Sequence, residues 1–383
     1  MGAFESKNYR NFFKEIGKTD EEIAAKIKEA VDTFFYDENE RIYHEDKDMG
    51  YLVDTGNIDA RTEGMSYGMM MCVQLDMKEE FDRIWKWTKK YMYMEEGENE
   101  GYFAWSCQLD GTKNAYGPAP DGEEFFAMAL FFASHRWGDS EGIMNYSKEA
   151  KEILKACIHK GENGREGCPM WNHDNKQILF VPGSPFTDPS YHLPHFYELF
   201  ALWAYEEDRD FFKEAAKASR EYLKTACHKE TGLSPEYGNF DGTPMDKELS
   251  WGYFGDFFSD AYRTAANIGL DAVWFGDDKE LLSIPLRMMK FFGTDLEAVR
   301  CTYKVDGTPV DRPVLHPVGL VSTIAQSALT VPYSDEKGSD YEIAKRWVNW
   351  FWNQPLRKGV RRYYDNCLYM FALLALSGNY RIY

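Results

Sequence analysis

The chain has 383 residues, 44% of them hydrophobic and 16% aromatic, which is enough for two average domains or one large helical toroid. Its formal net charge of -19 excludes the basic surface that nucleic-acid binding requires and favours a neutral ligand over a polyanion. No apolar run reaches the roughly 20 residues that a membrane-spanning helix needs, so no membrane partner is expected.

Six segments have the pattern of amphipathic helices, with apolar residues at i, i+3 and i+4 and with Lys and Glu between them. They lie at 20–35, 78–92, 147–158, 208–226, 278–292 and 340–352. Thr19 and Glu22 predict a capping box at the start of the first segment. Because only one face of such a helix is apolar, we expect these six helices on the outside of the fold.

Six other segments are nearly free of charge, and they alternate with the amphipathic ones. They lie at 63–75, 121–134, 191–205, 259–270, 316–329 and 363–377. A helix that is apolar on all sides belongs in the interior of a protein. The alternation therefore predicts an all-α fold, an (α/α)6 barrel of six helical hairpins with an inner and an outer ring, formed by residues 1–383 as a single domain.

Three stretches are predicted to be loops, at 161–190, 231–251 and 294–313. The first is rich in Gly, Pro and Asn, and a loop of this length is typically functional. Short strands are compatible with these stretches.

Chemically distinctive side chains stand where the inner helices begin. Because the inner helices of such a barrel run parallel, their N-termini meet at one rim, where free N–H groups help to hold carboxylates. Glu63 and Asp260 would face each other there, with Asp256 as a rival for the second position. Two opposed carboxylates are what hydrolysis of a glycosidic bond needs, one to protonate the leaving oxygen and one to activate water. The other candidates at this rim are Asp121, Tyr191 to Tyr197, His316, Tyr364 and Asp365.

Each candidate also has an ordinary structural interpretation. Glu63 could be a first-turn acid favoured by the helix dipole. Asp121 and Glu124 could form an N-cap and capping box, and Asp260 could pair with Arg263 at i, i+3 spacing.

Two histidines hint at a metal site in His192-x-x-His195. No third ligand follows at the spacing of a known zinc motif, so we expect structural histidines and neither a metal nor another cofactor. Trp105 and Tyr191 could be core aromatics, but their mixed surroundings favour a cleft wall. Aromatic faces pack against the apolar faces of sugar rings.

The sequence RTEGMSYGM at 61–69 resembles the acid signature of glycoside hydrolase family 8. Later segments agree in order along nearly the whole chain: PDGEE at 120–124, FSDAYR at 258–263 and YYDNCLY at 363–369. Two further segments, DPSYHLPHFY at 188–197 and LHPVG at 315–319, resemble the branch that releases xylose from the reducing end of short xylo-oligosaccharides.

The resemblance implies an (α/α)6 barrel, inversion of the anomeric configuration and a xylo-oligosaccharide substrate. Glu63 would be the general acid and Asp260 the general base. Tyr197 would hold the attacking water, and Arg263 would orient Asp260. Asp121 would bind the sugar, Trp105 would stack on it, and His316 would recognise the reducing-end hydroxyl. Further substrate contacts are implied for Tyr364, Arg61 and Tyr191.

Other activities remain open at this point. An endo-acting β-1,4-xylanase or β-1,4-glucanase of the same family is the first alternative, because sequence alone does not measure how closed the cleft is. A non-catalytic sugar-binding toroid conflicts with the presence of both acids, and an epimerase would use paired histidines.

The expected compartment follows from the cysteines and the N-terminus. The seven cysteines are scattered and form no CxxC pair, and the N-terminus lacks the basic and apolar regions of a signal peptide. Both features predict a cytoplasmic protein. We also expect it to be a monomer.

Overall fold

The computed structural model describes residues 2–276, 278–293, 299, 301–332 and 338–383. Its α-helices are α1 (Ala3–Ser6), α2 (Phe12–Glu15), α3 (Asp20–Val31), α4 (Thr62–Leu75), α5 (Lys78–Trp87), α6 (Pro120–Trp137), α7 (Tyr146–His159), α8 (Pro194–Trp203), α9 (Arg209–Ala226), α10 (Tyr262–Trp274), α11 (Lys279–Phe292), α12 (Pro317–Ser327), α13 (Ser339–Asn353) and α14 (Arg362–Leu376). Within the described residues, no helix combines the length and apolar character that crossing a membrane requires.

The predicted (α/α)6 barrel is confirmed. Helices α4, α6, α8, α10, α12 and α14 form a closed inner ring, in which each helix contacts the next and α14 contacts α4. Each outer helix packs on an inner one: α5 on α4, α7 on α6, α9 on α8, α11 on α10, α13 on α12 and α3 on α14. One hydrophobic cluster includes residues of all six inner helices. The uncharged segments therefore fill the interior, as their composition predicts.

The helix boundaries agree closely with the sequence pattern. The predicted capping box of Thr19 and Glu22 is present at the start of α3. Two inner helices begin later than predicted, since 3-10 turns at Pro189–Tyr191 and Ser259–Ala261 precede α8 and α10. These turns carry site residues out of the helices and onto the rim.

Short strands occupy the connections at this rim. They are β1 (Tyr43–Asp46), β2 (Met49–Leu52), β3 (Ala60–Arg61), β4 (Ser106–Cys107), β5 (Asp256–Phe257), β6 (Cys301–Lys304) and β7 (Pro309–Pro313). The antiparallel sheets are β1-β2, β3-β4 and β5-β6-β7. Strands β6 and β7 lie in the predicted loop 294–313, of which residues 294–298 and 300 lie outside the described residues. The last sheet connects the segment before Asp260 with the segment before His316.

An ion-pair cluster ties the outer ring to the inner ring on the side of α9 and α10. Arg220 of α9 donates from Nη2 to Asp271 Oδ1 at 2.8 Å and from Nη1 to Glu198 Oε1 at 2.5 Å. Its side chain is 18% exposed.

Candidate active site

A cavity of about 650 Å³ opens at the rim where the inner helices begin. Its size is within the range of ligand sites. Segments that precede or start all six inner helices contribute to its wall. Among the residues named from the sequence, the wall includes Arg61, Glu63, Trp105, Asp121, Tyr191, Asp260, Arg263, His316 and Tyr364.

Glu63 stands in the first turn of α4, with its side chain 17% exposed. Arg263 Nη1 donates to its Oε2 at 3.0 Å, and the Tyr363 hydroxyl donates to its Oε1 at 2.9 Å. Burial raises the pKa of Glu63 to about 7; the Asp121 and Asp260 carboxylates also raise it, against the lowering effect of Arg263 and Tyr363. A carboxyl group that keeps its proton near neutral pH can serve as a general acid.

Asp260 lies in the 3-10 turn before α10 and is twice as open to solvent as Glu63, with its side chain 34% exposed. Arg263 Nη2 lies 3.6 Å from its Oδ1. The preceding residue, Ser259, has a φ of 23°, which is unusual for a residue other than glycine. The Tyr364 hydroxyl donates to the Ser259 carbonyl oxygen at 3.2 Å. The turn thus presents Asp260 to the cavity, and Tyr364 holds the turn.

Arg263 is buried between the two sides of the site. Besides Glu63, its Nη1 donates to Tyr67 Oη at 2.8 Å and to Asp121 Oδ2 at 2.9 Å. The resemblance predicted that Arg263 would orient Asp260, but the contacts with Glu63 and Asp121 are the shorter ones. The guanidinium therefore holds the acid side of the site at least as firmly as the base side.

Asp121 is buried in the first turn of α6 and lines the cavity. The N-cap interpretation is wrong, because Ala119 is the N-cap of α6, although Asp121 Oδ1 accepts the backbone N–H of Gly122 at 3.0 Å. Burial raises the pKa of Asp121, against the lowering effect of Arg263. Its carboxylate therefore lies at the cavity wall with Oδ2 held by Arg263.

Tyr197 does not occupy the predicted position. Its side chain is fully buried, and it is not among the described residues that line the cavity. The hydroxyl is in hydrogen-bond contact with Glu124 and with the Tyr191 carbonyl oxygen, the latter at 3.0 Å. Tyr191 lines the cavity instead, with its ring 5.5 Å from the Arg263 guanidinium. Because Tyr197 lies inside α8, its side chain packs behind the wall that Tyr191 forms.

His316 lies at another part of the wall, next to Leu315. Its Nδ1 pairs with Asp365 Oδ2 at 2.9 Å, and its ring makes an edge contact with Tyr364 at 4.8 Å between centroids. A carboxylate can only accept, so Nδ1 carries a proton and Nε2 is the ring nitrogen left for a ligand.

Trp105 presents one of the exposed aromatic surfaces of the cavity, with 36% exposure. The Arg61 guanidinium lies 5.2 Å from its ring centroid. Arg61 is in turn held by Asp59 at 3.0 Å and Asp54 at 3.2 Å. Because both residues line the cavity, the stack offers a ligand an aromatic surface next to a cation that two carboxylates hold.

Three further residues of functional interest were not predicted from the sequence. Asp188 is fully buried with its Oδ2 3.9 Å from Arg263 Nη2, and burial raises its pKa well above the ordinary value. Glu236 is buried next to Arg312, at 3.4 Å, and burial and the nearby Asp260 raise its pKa. Tyr363, the third, contacts Glu63. A signal existed for Asp188 and Tyr363, which lie within the DPSY and YYDN segments, whereas Glu236 lies in a loop without a motif.

His192 makes structural hydrogen bonds. Its Nδ1 pairs with Ser219 Oγ at 2.9 Å and its Nε2 with Thr187 Oγ1 at 3.0 Å, and burial lowers its pKa to about 3. In the described part of the chain, no group of three or more His, Cys, Asp or Glu side chains is arranged to hold a metal ion.

Two carboxyl groups that line one cavity of a helical barrel, one of them with its pKa raised to about 7, are the arrangement that hydrolysis of a glycosidic bond uses. The chain belongs to glycoside hydrolase family 8, since the sequence profile of "Glycosyl hydrolases family 8" matches residues 47–378. It is 58% identical over 385 aligned residues to a reducing end xylose-releasing exo-oligoxylanase of Halalkalibacterium halodurans, an alignment that covers 100% of this chain and 96% of that protein.

Solved structures agree with this assignment. Rex8A from Paenibacillus barcinonensis complexed with xylose superposes with a TM-score of 0.95 and 53% identity, with 100% of both chains covered. A mutant of the same protein complexed with an arabinofuranosyl-xylotetraose has a TM-score of 0.95 and 53% identity, with 100% of this chain and 98% of that chain covered.

Proposed function

We propose that this enzyme releases xylose from the reducing end of short xylo-oligosaccharides and inverts the anomeric configuration. The observation that carries the proposal is the pairing of Glu63, whose pKa is raised to about 7, with the open carboxylate of Asp260 across one cavity. The names of the relatives, exo-oligoxylanases with at least 50% identity, support the substrate class.

The chemistry follows a single displacement. Glu63 donates its proton to the glycosidic oxygen as the bond to the anomeric carbon breaks, so the reducing-end xylose leaves as a neutral alcohol. Asp260 takes a proton from a water molecule, whose oxygen forms the new bond to the same carbon from the opposite face. An inverting pair leaves room for this water at a separation of about 6.5–9.5 Å between the carboxyl groups.

Arg263 and Asp121 serve the same step. Arg263 holds Glu63 from one side, and the contact with Asp121 fixes a second carboxylate at the wall. Asp121 would accept hydrogen bonds from sugar hydroxyls at the cleavage site. We assign the attacking water to the space between Asp260 and Tyr191, because Tyr191 lines the cavity and Tyr197 is enclosed behind it.

The reducing-end preference is assigned to the Leu315–His316 part of the wall. With Nδ1 bound to Asp365, the His316 ring leaves Nε2 to pair with a sugar hydroxyl as the donor. A free anomeric hydroxyl supplies that donor, whereas a further sugar residue replaces it and meets the wall. The enzyme would therefore bind chain ends.

We also propose that residues 1–383 form one catalytic domain that acts as a monomer in the cytoplasm. All seven cysteines are free, and five of them are buried, which suits a reducing compartment.

Product analysis with reducing-end-labelled xylotriose tests the proposed function. Labelled xylose and unlabelled xylobiose are the expected first products. Labelled xylobiose as an early product, or internal cleavage of polymeric xylan, would instead indicate the endo-acting alternative. Asp260→Asn should abolish hydrolysis while binding of the oligosaccharide, measured by calorimetry, stays within a few-fold of the wild type.

A further inference from the structure

The Leu315–His316 wall is held by a hydrogen-bond network outside the catalytic pair. We propose that Arg357 and Asp365 are positioning residues that fix this wall and thereby set the preference for free reducing ends. The proposal rests on the proposed function, since it explains how the wall keeps its shape.

Asp365 is the centre of the network. It is fully buried in the first turn of α14, and its Oδ1 accepts the backbone N–H of Gly319 at 2.7 Å. Its Oδ2 accepts from His316 Nδ1 at 2.9 Å and from Arg357 Nη1 at 2.6 Å. One carboxylate thus fixes the start of α12, the imidazole ring and the arginine.

Arg357 links this carboxylate to the backbone of the wall. Its Nη1 also donates to the Leu315 carbonyl oxygen at 2.6 Å. Leu315 and His316 lie outside regular secondary structure, between the end of β7 and the start of α12. The contact from Arg357 therefore supplies a restraint that a helix or strand would otherwise give to this segment.

The loop that carries Arg357 is itself anchored. The Arg357 N–H donates to Asn366 Oδ1 at 2.8 Å, and Asn366 Nδ2 donates to the Arg357 carbonyl oxygen at 3.0 Å. Further along the loop, Thr55 Oγ1 donates to the Val360 carbonyl oxygen at 2.8 Å. Because backbone contacts hold the loop, a change of the Arg357 side chain should release the wall without releasing the loop.

Arg357 holds both the oxygen that accepts from His316 and the backbone carbonyl of Leu315, so loss of its guanidinium frees the backbone next to His316. A His316 ring that tilts away no longer meets a sugar hydroxyl in good hydrogen-bond geometry, and the bond weakens steeply with misalignment. A displaced Leu315 also leaves space beyond the first sugar of the leaving group. Both effects reduce discrimination between a free and a substituted reducing end.

The test compares kcat/KM for xylotriose with kcat/KM for its methyl glycoside. Arg357→Met keeps the apolar stem and removes the donors. We expect it to lower the ratio of kcat/KM for xylotriose to kcat/KM for the methyl glycoside by at least tenfold. Arg357→Lys retains a cationic donor and should keep most of the wild-type ratio. The side chain of Arg357 is 25% exposed, so the apolar replacement has partial access to solvent.

Arg220→Met is the matched control. Arg220 also contacts carboxylates and is comparably buried, but it lies on α9 and not at the cavity. Its replacement should lower the midpoint of urea unfolding and leave the substrate ratio at the wild-type value.

The outcomes separate the two proposals. A wild-type enzyme that hydrolyses xylotriose and its methyl glycoside equally well overturns the proposed function. If Arg357→Met keeps the full wild-type preference for the free reducing end, the positioning role is overturned and the proposed function stands. If Arg357→Met does not fold, Arg357→Gln provides the same comparison, because it keeps an amide donor and loses the ion pair with Asp365. An unchanged ratio of the two kcat/KM values in Arg357→Gln would also overturn the positioning role.

Discussion

Arg263 donates a hydrogen bond from Nη1 to Glu63 Oε2 at 3.0 Å, although the two residues belong to helices on opposite sides of the ring. The same guanidinium reaches Asp121 and lies 3.6 Å from Asp260. A single buried cation thus stands among the carboxylates that carry the proposed chemistry. It reduces their mutual repulsion and keeps the acid in a fixed orientation.

Replacement of this cation should affect both stability and rate. Arg263→Met leaves buried carboxylates without their partner, and breaking a buried ion pair in this way costs about 3–5 kcal/mol of unfolding free energy. We also expect kcat to fall by about 100-fold or more, because misplacement of a catalytic group carries a penalty of this order. Urea unfolding and steady-state kinetics measure the two effects. A fully active, fully stable variant would show that the cation is dispensable.

Loss of the proposed general acid should depend on the leaving group. General acid catalysis contributes about 100- to 10,000-fold to the rate, so kcat/KM of Glu63→Ala on xylo-oligosaccharides should fall by at least about 100-fold. Xylobiosyl fluoride, whose leaving group needs little protonation, should lose far less. The comparison of kcat/KM for the two substrates checks the role. Equal losses on both would remove Glu63 from it.

Tyr363 should tune the protonation of Glu63. Its hydroxyl bonds Glu63 Oε1 at 2.9 Å and lowers the pKa of Glu63, so Tyr363→Phe should raise that pKa further. The alkaline limb of the kcat/KM profile then moves to higher pH. Tyr380→Phe is the control, since Tyr380 is buried and its hydroxyl has no hydrogen-bond partner among the described residues. An unshifted limb in Tyr363→Phe would mean that the contact does not affect the acid.

The raised pKa of Glu63 also predicts a pH dependence of stability. The folded state keeps the proton up to about pH 7, whereas the ordinary value is 4.5, so the folded state binds more protons between these values. Unfolding free energy therefore falls as pH rises from about 4.5 to 7, by at most about 3 kcal/mol from this group. Glu63→Gln removes the titration. Its stability relative to the wild type should increase from pH 5 to pH 8, and a constant difference in urea unfolding would contradict the shift.

The sequence predicted the ring of inner helices because a helix that is buried on all sides has few charged residues. The segment at 121–134 has no charged residue between Glu124 and its end, so it can only pack inside. The gathering of Glu63, Asp121 and Asp260 at one rim followed from the parallel inner helices. These parts of the fold depend on local pattern and on topology.

Other features of the site depended on details of the fold that a local sequence pattern does not contain. Tyr191 and Tyr197 lie six positions apart in one apolar segment, and the break between the 3-10 turn and α8 decides which of them reaches the cavity. Asp188 and Glu236 approach Asp260 only through the folding of two long loops. Arg357 has no motif around it, and its partners, Leu315 and Asp365, lie in two separate segments.

The central claim is that Glu63 and Asp260 hydrolyse the bond by a single displacement. Proton NMR of the first product from xylotriose tests it most directly, with spectra taken before mutarotation. Inversion at a β-linkage predicts that the new reducing end of xylobiose appears first as the α-anomer. Xylobiose that appears first as the β-anomer would contradict the account, because retention requires a covalent intermediate and a nucleophile in place of an activated water.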